Sequence, residues 1–284
     1  MPVMRDRSAA RGPSLRALLL AGALSLAIIS LTGCHQLSSQ HGLFKLKYKV
    51  PVRYQLDKFW LNAKKEVDKS TLELLAQHQA ALKRGLKYHI LMRGDPFRRE
   101  IALTFDDGPH PQYTPQIISI LASSEVKATF FIVGELAEKY PALVRAEAAA
   151  GHEIANHTYD HVNLTKIPSE DAAVEIEACS DVLQSITGKR PTMFRPPGGD
   201  YNDEVAMIGE SLKYTMALWT DNAGDWDSPG KVAIEDRVLE NVSPGGIILM
   251  HDGIEQTIKA LPIIIRILKR EGYRFVTLDQ MMRE

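Results

Sequence analysis

The chain has few cysteines, no net excess of charge of either sign, and no apolar run long enough to cross a bilayer. Only Cys34 and Cys179 occur among 284 residues, which excludes a disulfide framework and means that a packed core must stabilise the fold. The net charge of -1 gives no electrostatic reason to expect a nucleic-acid partner. No internal repeat or low-complexity linker is visible, and 45% apolar residues suffice for one large globular domain.

The longest apolar stretch, residues 17–31, follows four arginines and has the pattern of a secretory signal. As a helix its 15 residues would extend about 22 Å, which is short of the roughly 30 Å hydrocarbon core of a bilayer. We therefore expect a cleaved signal rather than a permanent membrane-spanning anchor.

The residues that end this stretch, LTGC at 31–34, resemble the lipobox of bacterial lipoproteins. That resemblance implies removal of residues 1–33 and lipidation of Cys34, whose two or three acyl chains would anchor the protein to a membrane. His35 stands where an aspartate is associated with inner-membrane retention, which favours an outer-membrane lipoprotein of a bacterial cell envelope, facing the periplasm. With Cys34 lipidated no internal disulfide can form, and Cys179 is expected to be a small buried side chain.

Charge is unevenly distributed along the chain. Residues 41–100 carry 14 Lys and Arg against 6 Asp and Glu, whereas residues 101–284 carry 16 against 28. Residues 52–84 contain no Pro or Gly and repeat apolar side chains every three or four residues, which predicts an amphipathic helix with a break near Ser70. We interpret this basic segment as a neck between the lipid and a catalytic domain, and leave open whether it packs on that domain or on a partner.

Short apolar runs alternate with helical patterns after residue 100. The runs predict seven buried strands, at 101–105, 128–133, 152–155, 192–195, 214–219, 246–250 and 273–278. Helices are predicted at 114–123, 169–186 and 256–271, with Thr114 and Ser169 as N-caps and Gly188 and Gly272 as stop signals. This alternation is typical of an α/β fold with a parallel sheet, either open or closed into a barrel.

Polar residues follow five of the predicted strands, where the functional groups of parallel α/β folds collect. They are Asp106 and Asp107, His157 and His161, Arg195, Asp225 and Trp226, and His251 and Asp252. We expect these clusters to converge on one face of the sheet.

His157 and His161 stand four residues apart, the spacing that places two side chains on one face of a helix and suits a shared metal. Two histidines and one carboxylate leave an open position for water on Zn²⁺, as in catalytic zinc sites. Of two adjacent aspartates, one can bind the metal while the other accepts a proton.

Five motifs resemble those of the NodB-like polysaccharide deacetylases, carbohydrate esterase family four, and occur in that family's order. They are TFDDGP at 104–109, HTYDH at 157–161, FRPP at 194–197, GDW at 224–226 and ILMHD at 248–252. The resemblance covers residues 100–280 and implies a distorted (β/α)7 barrel. Together with the signal pattern, the lipobox and the helical periodicity, this predicts a signal over 1–33, a lipidated N-terminus and helical neck over 34–98, and a catalytic domain over 99–284.

The resemblance also implies a role for each matching residue. Asp107, His157 and His161 would bind Zn²⁺ or another divalent transition metal such as Co²⁺. Asp106 would be the general base, held ionised by Arg195, and His251 would be the general acid, its pKa raised by Asp225. Substrate would be bound by Trp226, Leu249, Pro197 and Gly198, with a backbone N–H after Pro197 holding the oxyanion.

Two positions depart from the family pattern. The family commonly has Tyr after Arg-Pro-Pro, where this chain has Gly198, and Asp three residues before the Asp-Trp pair, where this chain has Asn222. Without the aromatic side chain, we expect the loop at Gly198 to accept a bulkier substrate.

The resemblance implies a metal-dependent N-deacetylase that acts on N-acetylhexosamines of an envelope polysaccharide such as peptidoglycan, a chitin-like polymer or poly-N-acetylglucosamine. Two alternatives stay open at this point. The first is a hydrolase of small amides or O-acetyl esters that uses the same site. The second is a non-catalytic glycan-binding lipoprotein, although such proteins usually lose a metal ligand or the base. The sequence leaves the oligomeric state open.

Overall fold

The computed structural model describes residues 68–283. The predicted signal, Cys34 and the neck up to residue 67 lie outside this range. The described part contains nine α-helices: α1 (Thr71–Lys83), α2 (Thr114–Ser123), α3 (Gly134–Lys139), α4 (Pro141–Ala149), α5 (Ser169–Thr187), α6 (Asp203–Ser211), α7 (Lys231–Asn241), α8 (Glu255–Arg270) and α9 (Leu278–Met282). Within residues 68–283, no helix combines the length and the apolar character needed to cross a membrane.

Nine strands form one sheet in which every pairing is parallel. The strands are β1 (Ile90–Leu91), β2 (Glu100–Gly108), β3 (Thr129–Ile132), β4 (Glu153–Asn156), β5 (Met193–Phe194), β6 (Thr215–Ala217), β7 (Asp221–Asn222), β8 (Gly246–His251) and β9 (Arg274–Phe275). The sheet order is β1-β6-β5-β4-β3-β2-β8-β7, with β9 pairing to the start of β2. Among the described strands, β1 and β7 pair only on their inner sides, so the curled sheet is an open half-barrel.

The predicted distorted (β/α)7 barrel is therefore confirmed. Each of the seven predicted strands overlaps an observed one, and the helices predicted at 114–123, 169–186 and 256–271 correspond to α2, α5 and α8. Two short strands, β1 and β7, were not predicted, because β1 lies in a run of only three apolar residues and β7 consists of two polar ones.

Alternate residues of β2 enter two separate cores, as the two-residue period of a strand requires. Leu103 and Phe105 pack with side chains of the surrounding helices, whereas Ala102 belongs to a second cluster with Phe131 and Trp219. All five are at least 99% buried, and burial of each large apolar side chain stabilises the fold by roughly 2 kcal/mol. The buried sheet holds the carboxyl ends of its strands together at one face.

Helix α1 is the described end of the predicted neck, and it packs on the catalytic domain. Ser70 has extended backbone angles and forms a capping box with Glu73, which confirms the break predicted near Ser70. Leu74 is fully buried in the second core, and Gln77 Nε2 donates a hydrogen bond to the carbonyl oxygen of Tyr201. Of the two alternatives left open by the sequence, this part of the neck thus packs on the catalytic domain.

Two predicted helix caps are wrong. Thr114 and Ser169 are the first helical residues, and the N-cap positions belong to Tyr113 and Pro168. The Thr114 hydroxyl accepts a hydrogen bond from His110 N and donates one to Asp252. Its oxygen is therefore engaged in these contacts and does not cap the helix. The predicted stops are confirmed, since Gly188 and Gly272 have positive φ angles of 75° and 84°.

Candidate active site

A β-bulge at the end of β2 places two adjacent carboxylates in one site. Neighbouring residues of a regular strand point to opposite faces, but the register of β2 against β3 shifts between Phe105 and Gly108. Asp107 has a φ of 67° within this bulge. As a result, Asp106 Oδ2 and Asp107 Oδ1 lie 3.7 and 3.4 Å from the same atom, His157 Nε2.

Asp107, His157 and His161 form the only group among residues 68–283 that matches the geometry of a metal site. Their ligand atoms all lie within 4.8 Å of one another, and all three side chains are largely buried. The prediction that His157 and His161 lie on one face of a helix is wrong. Residues 157–161 form a loop in which Thr158 and His161 have positive φ angles. The loop, rather than a helical turn, brings the two imidazoles together.

Hydrogen bonding and charge prepare this group for a cation. His157 Nδ1–H donates to the carbonyl oxygen of Arg195 at 2.9 Å, which leaves Nε2 free to face Asp107. Burial alone would raise the pKa of Asp107, but His161, His157 and His251 hold that pKa well below its usual value. Asp107 Oδ1 is buried and has no aligned hydrogen-bond donor. An ionised carboxylate oxygen and two imidazole nitrogens fit a divalent transition metal.

The structure places Arg195 and Asp106 in contact, as predicted. Arg195 is fully buried, and its Nη1 donates to Asp106 Oδ1 at 2.7 Å and to Thr104 Oγ1 at 2.9 Å. Its guanidinium carbon lies 4.0 Å from the centroid of the Phe131 ring. Because the guanidinium is fixed on several sides, it holds the Asp106 carboxylate in one orientation.

His251 ends β8 and contacts Asp225, also as predicted. Its Nδ1–H donates to Asp225 Oδ1 at 2.8 Å, while Asp225 Oδ2 accepts from His251 N and from the hydroxyl of Thr257. Burial would lower the pKa of His251, but Asp225, followed by Asp68 and Asp107, raises it well above its usual value. The imidazole is therefore prepared to carry and donate a proton from Nε2.

The four predicted substrate-binding residues have different surroundings. Trp226 is half-buried on the short turn Asp225–Asp227, and Gly198 is half-buried on the turn Pro197–Gly199. Pro197 is buried, and Leu249 is fully buried in the second core, where it presents no exposed surface to a groove. Trp226 and Gly198 thus remain the accessible candidates of the four.

Two side chains of the site were missed by the sequence analysis. Thr257 lies in helix α8 and orients Asp225, and no local pattern distinguishes it from other helical residues. Asp68 lies directly before α1, outside the five motifs, and its Oδ2 is 3.8 Å from His251 Nε2. Burial raises the pKa of Asp68 to about 6, an effect that His251 opposes.

Comparison with known proteins shows the family of this chain. The polysaccharide deacetylase family model matches residues 93–217. A peptidoglycan-N-acetylglucosamine deacetylase of Bacillus cereus is 39% identical over 188 residues, which cover 64% of this chain and 88% of that protein. The chain belongs to the polysaccharide deacetylases, carbohydrate esterase family four.

Two further comparisons describe the range of similar deacetylases. A chitooligosaccharide deacetylase of Sinorhizobium fredii is 35% identical over 194 residues, which cover 63% of this chain and 90% of that protein. The crystal structure of the Bc1960 peptidoglycan N-acetylglucosamine deacetylase, in complex with 4-naphthalen-1-yl-N-oxidanyl-benzamide, aligns with a TM-score of 0.68 and 35% identity. That alignment covers 71% of this chain and 95% of the other.

This deacetylase is therefore a hydrolase of carbon–nitrogen bonds other than peptide bonds. The family is metal-dependent, and Asp107, His157 and His161 form a site that can hold a metal ion.

Proposed function

We propose that this protein is a metal-dependent N-deacetylase of an envelope polysaccharide that contains N-acetylhexosamines. The observation that carries the proposal is the arrangement of a buried Asp106–Arg195 pair and a buried His251–Asp225 pair around one potential metal site. An N-acetyl amide needs an activated water, stabilisation of the carbonyl oxygen and protonation of the leaving nitrogen. The proposed site offers a group for each requirement.

Asp107, His157 and His161 would hold the metal, for which we propose Zn²⁺ or another divalent transition metal such as Co²⁺. When bound, the metal supplies acidification of a water and polarisation of the acetyl carbonyl. Asp106 accepts the proton of the attacking water, and Arg195 holds its carboxylate in place. The backbone N–H after Pro197 helps to hold the negatively charged oxygen. His251 then donates its Nε2 proton to the nitrogen as the carbon–nitrogen bond breaks.

The proposed substrates are peptidoglycan, chitin-like oligosaccharides and poly-N-acetylglucosamine, supported by the activities named for similar deacetylases. The test is acetate release by the full-length chain, supplied with Zn²⁺ or Co²⁺, from each of these substrates. We expect acetate from at least one of them. Acetate from none of them would contradict the proposal, while acetate only from small esters would favour the alternative hydrolase. Glycan affinity without bound metal or turnover would favour the binding protein.

Asp225→Asn is expected to move the loss of activity at high pH to lower pH. The reaction needs the His251 imidazolium, which is present below the pKa of that residue and disappears as the pH rises through it. Since Asp225 is the main group that raises the pKa of His251, its neutralisation lowers that pKa. The measurement is kcat against pH, with Asp227→Asn, on an exposed position of the same turn, as the control. If kcat is lost at the same high pH in Asp225→Asn as in the wild type, the assignment of His251 as the acid is contradicted.

We also propose that the protein is a lipoprotein of the bacterial envelope, anchored through Cys34 in the outer membrane and facing the periplasm. The signal pattern of residues 1–33 and the LTGC sequence support this location. Radioactive palmitate is expected to label the wild-type chain in cells, and the label is expected to fractionate with outer membranes. Cys34→Ser is expected to remove the label, and labelling that persists in this variant would rule out the proposed anchor.

A further inference from the structure

A carboxylate from outside the catalytic motifs lies beside the proton-donating atom of the site. The side chain of Asp68 is 10% exposed, and its Oδ2 lies 3.8 Å from His251 Nε2. Because Asp225 binds Nδ1 of this imidazole, Nε2 is the ring nitrogen that must face the leaving group. Asp68 therefore lies where the nitrogen of the cleaved amide has to pass.

The segment 68–71, which we call the N-terminal strap, is fastened to the catalytic domain at several points. Lys69 N donates to the carbonyl oxygen of Gly198 at 3.0 Å, and Lys69 Nζ lies 2.9 Å from Asp200 Oδ1. Thr71 Oγ1 donates to the carbonyl oxygen of Thr220 at 2.9 Å. Helix α1 continues from the strap and buries Leu74 and Ala81. The strap is therefore an integral wall of the site rather than a removable plug.

The two positions at which this chain departs from the family pattern are both in contact with the strap. Gly198 accepts the hydrogen bond from Lys69 N, and Asn222 Nδ2 donates to Asp68 Oδ2 at 3.3 Å. An aspartate at position 222 would bring a second negative charge against Asp68, whereas the asparagine amide stabilises its carboxylate. The strap also lies against the loop of Gly198, where the sequence alone suggested more room for the substrate because the family's aromatic side chain is absent.

We propose that Asp68 is a catalytic residue that binds the nitrogen of the leaving amine, an assignment that rests on the proposed deacetylase function. In the reaction the water oxygen bonds to the carbonyl carbon, the carbon–nitrogen bond breaks, Asp106 takes the water proton, and the nitrogen takes the proton of His251. The amide nitrogen carries no positive charge before the reaction. It becomes positively charged in the tetrahedral intermediate, when it takes the proton of His251, and it leaves as a neutral amine because the electrons of the broken bond stay on nitrogen. A carboxylate at this place attracts the nitrogen most strongly while it carries that charge, which lowers the barrier to breaking the bond.

The groups around Asp68 fit a cation better than an anion or a neutral group. Burial is the main cause that raises the pKa of Asp68; among the neighbouring charges, His251 lowers that pKa and Asp106 and Asp107 raise it. After His251 gives up its proton, the positive charge lies on the protonated nitrogen of the tetrahedral intermediate, beside Asp68. An ester gives a leaving alcohol without positive charge, so the same carboxylate would not assist ester hydrolysis.

The test compares Asp68→Asn with the wild-type full-length chain on an N-acetylglucosamine oligosaccharide and on 4-nitrophenyl acetate. We expect kcat/KM for the amide to fall about 10- to 100-fold, which is the range for loss of a hydrogen bond between charged groups. We expect kcat/KM for the ester to stay unchanged. Calorimetry of the metal-free proteins provides a second readout. A fully deacetylated glucosamine oligosaccharide is expected to bind Asp68→Asn about tenfold more weakly, with unchanged affinity for the acetylated one.

Arg84→Met is the matched control, because it removes a charged contact between helix α1 and Asp203 and leaves the strap and Asp68 in place. We expect wild-type values from it. An equal loss in Arg84→Met, an equal loss for amide and ester, or unchanged binding of the glucosamine oligosaccharide would each overturn the assignment. If the wild-type chain releases no acetate from any glycan, the proposed function fails, and the binding comparison still decides the role of Asp68.

Discussion

Asp106→Asn is expected to reduce kcat for acetate release by about 10³-fold, with the content of bound metal unchanged. Asp106 faces His157 and Arg195 but is not one of the three grouped ligand residues. An asparagine amide has nearly the same shape as the carboxylate but cannot accept a proton at neutral pH. The substitution therefore separates the loss of the base from the loss of the metal.

The buried guanidinium of Arg195 requires a check on folding in this variant. Removing one partner of a buried ion pair typically destabilises a protein by about 3–5 kcal/mol. Here the cost is reduced, because the asparagine oxygen can still accept from Arg195, and Arg195 also donates to the carbonyl oxygens of Ala217 and Leu218. We expect a lowered Tm and a folded protein at the assay temperature.

The measurements are steady-state acetate release, metal content by mass spectrometry and thermal denaturation followed by circular dichroism. Asp221→Asn is the matched control, since Asp221 is a buried carboxylate in β7 that is not part of the proposed catalytic group. Its activity should stay near that of the wild type. Activity of Asp106→Asn within about tenfold of the wild type would show that another group accepts the proton.

His161→Ala is expected to weaken metal binding by more than roughly 100-fold and to abolish activity at limiting metal. Changes to groups that merely orient metal ligands typically reduce affinity about 10- to 100-fold, so loss of a ligand should exceed that range. His161 Nε2 lies 3.0 Å from Asp107 Oδ1 and contributes to its lowered pKa. Its removal thus deletes one ligand and makes the carboxylate of another less acidic.

The backbone of His161 has to be considered, because its φ angle is 58° and alanine is strained there. Thr158→Ala offers a matched control, since Thr158 has a φ of 64° in the same loop and is not a proposed ligand. Metal affinity can be measured by competition with a chelating dye. A similar loss of affinity in both variants would attribute the effect to the loop, and unchanged affinity in His161→Ala would remove this residue from the metal site.

Where its information is local, the sequence was sufficient to predict the strands and the members of the candidate site. Apolar runs located the strands, and the polar residues directly after them supplied five parts of the candidate site. The pairs Asp106–Arg195 and His251–Asp225 followed from the family resemblance, and the structure places each pair in contact. Their residues are up to 89 positions apart, a distance at which composition and periodicity carry no information.

The parts that the sequence could not supply depend on backbone geometry and on distant contacts. The helical interpretation of His157 and His161 failed, because positive φ angles in the intervening loop are not encoded by a spacing of four. The bulge at Asp107 likewise cannot be predicted from the sequence, because it is defined by the register between β2 and β3. Asp68 was missed because its partner His251 is far along the chain and no motif surrounds it.

The pairing of β2 with β8 fixes the distance between the proposed base and the proposed acid. Asp106 and His251 are register partners in adjacent strands, and Asp252 N donates to the carbonyl oxygen of Asp106 at 2.7 Å. Neighbouring strands are held about 4.8 Å apart by their ladder of hydrogen bonds. The central sheet therefore holds the backbones of the two proposed proton-transferring residues at a constant distance. No hinge or lid has to close to align them. Conformational freedom is then left to the incoming sugar chain, which must fit a preformed pair.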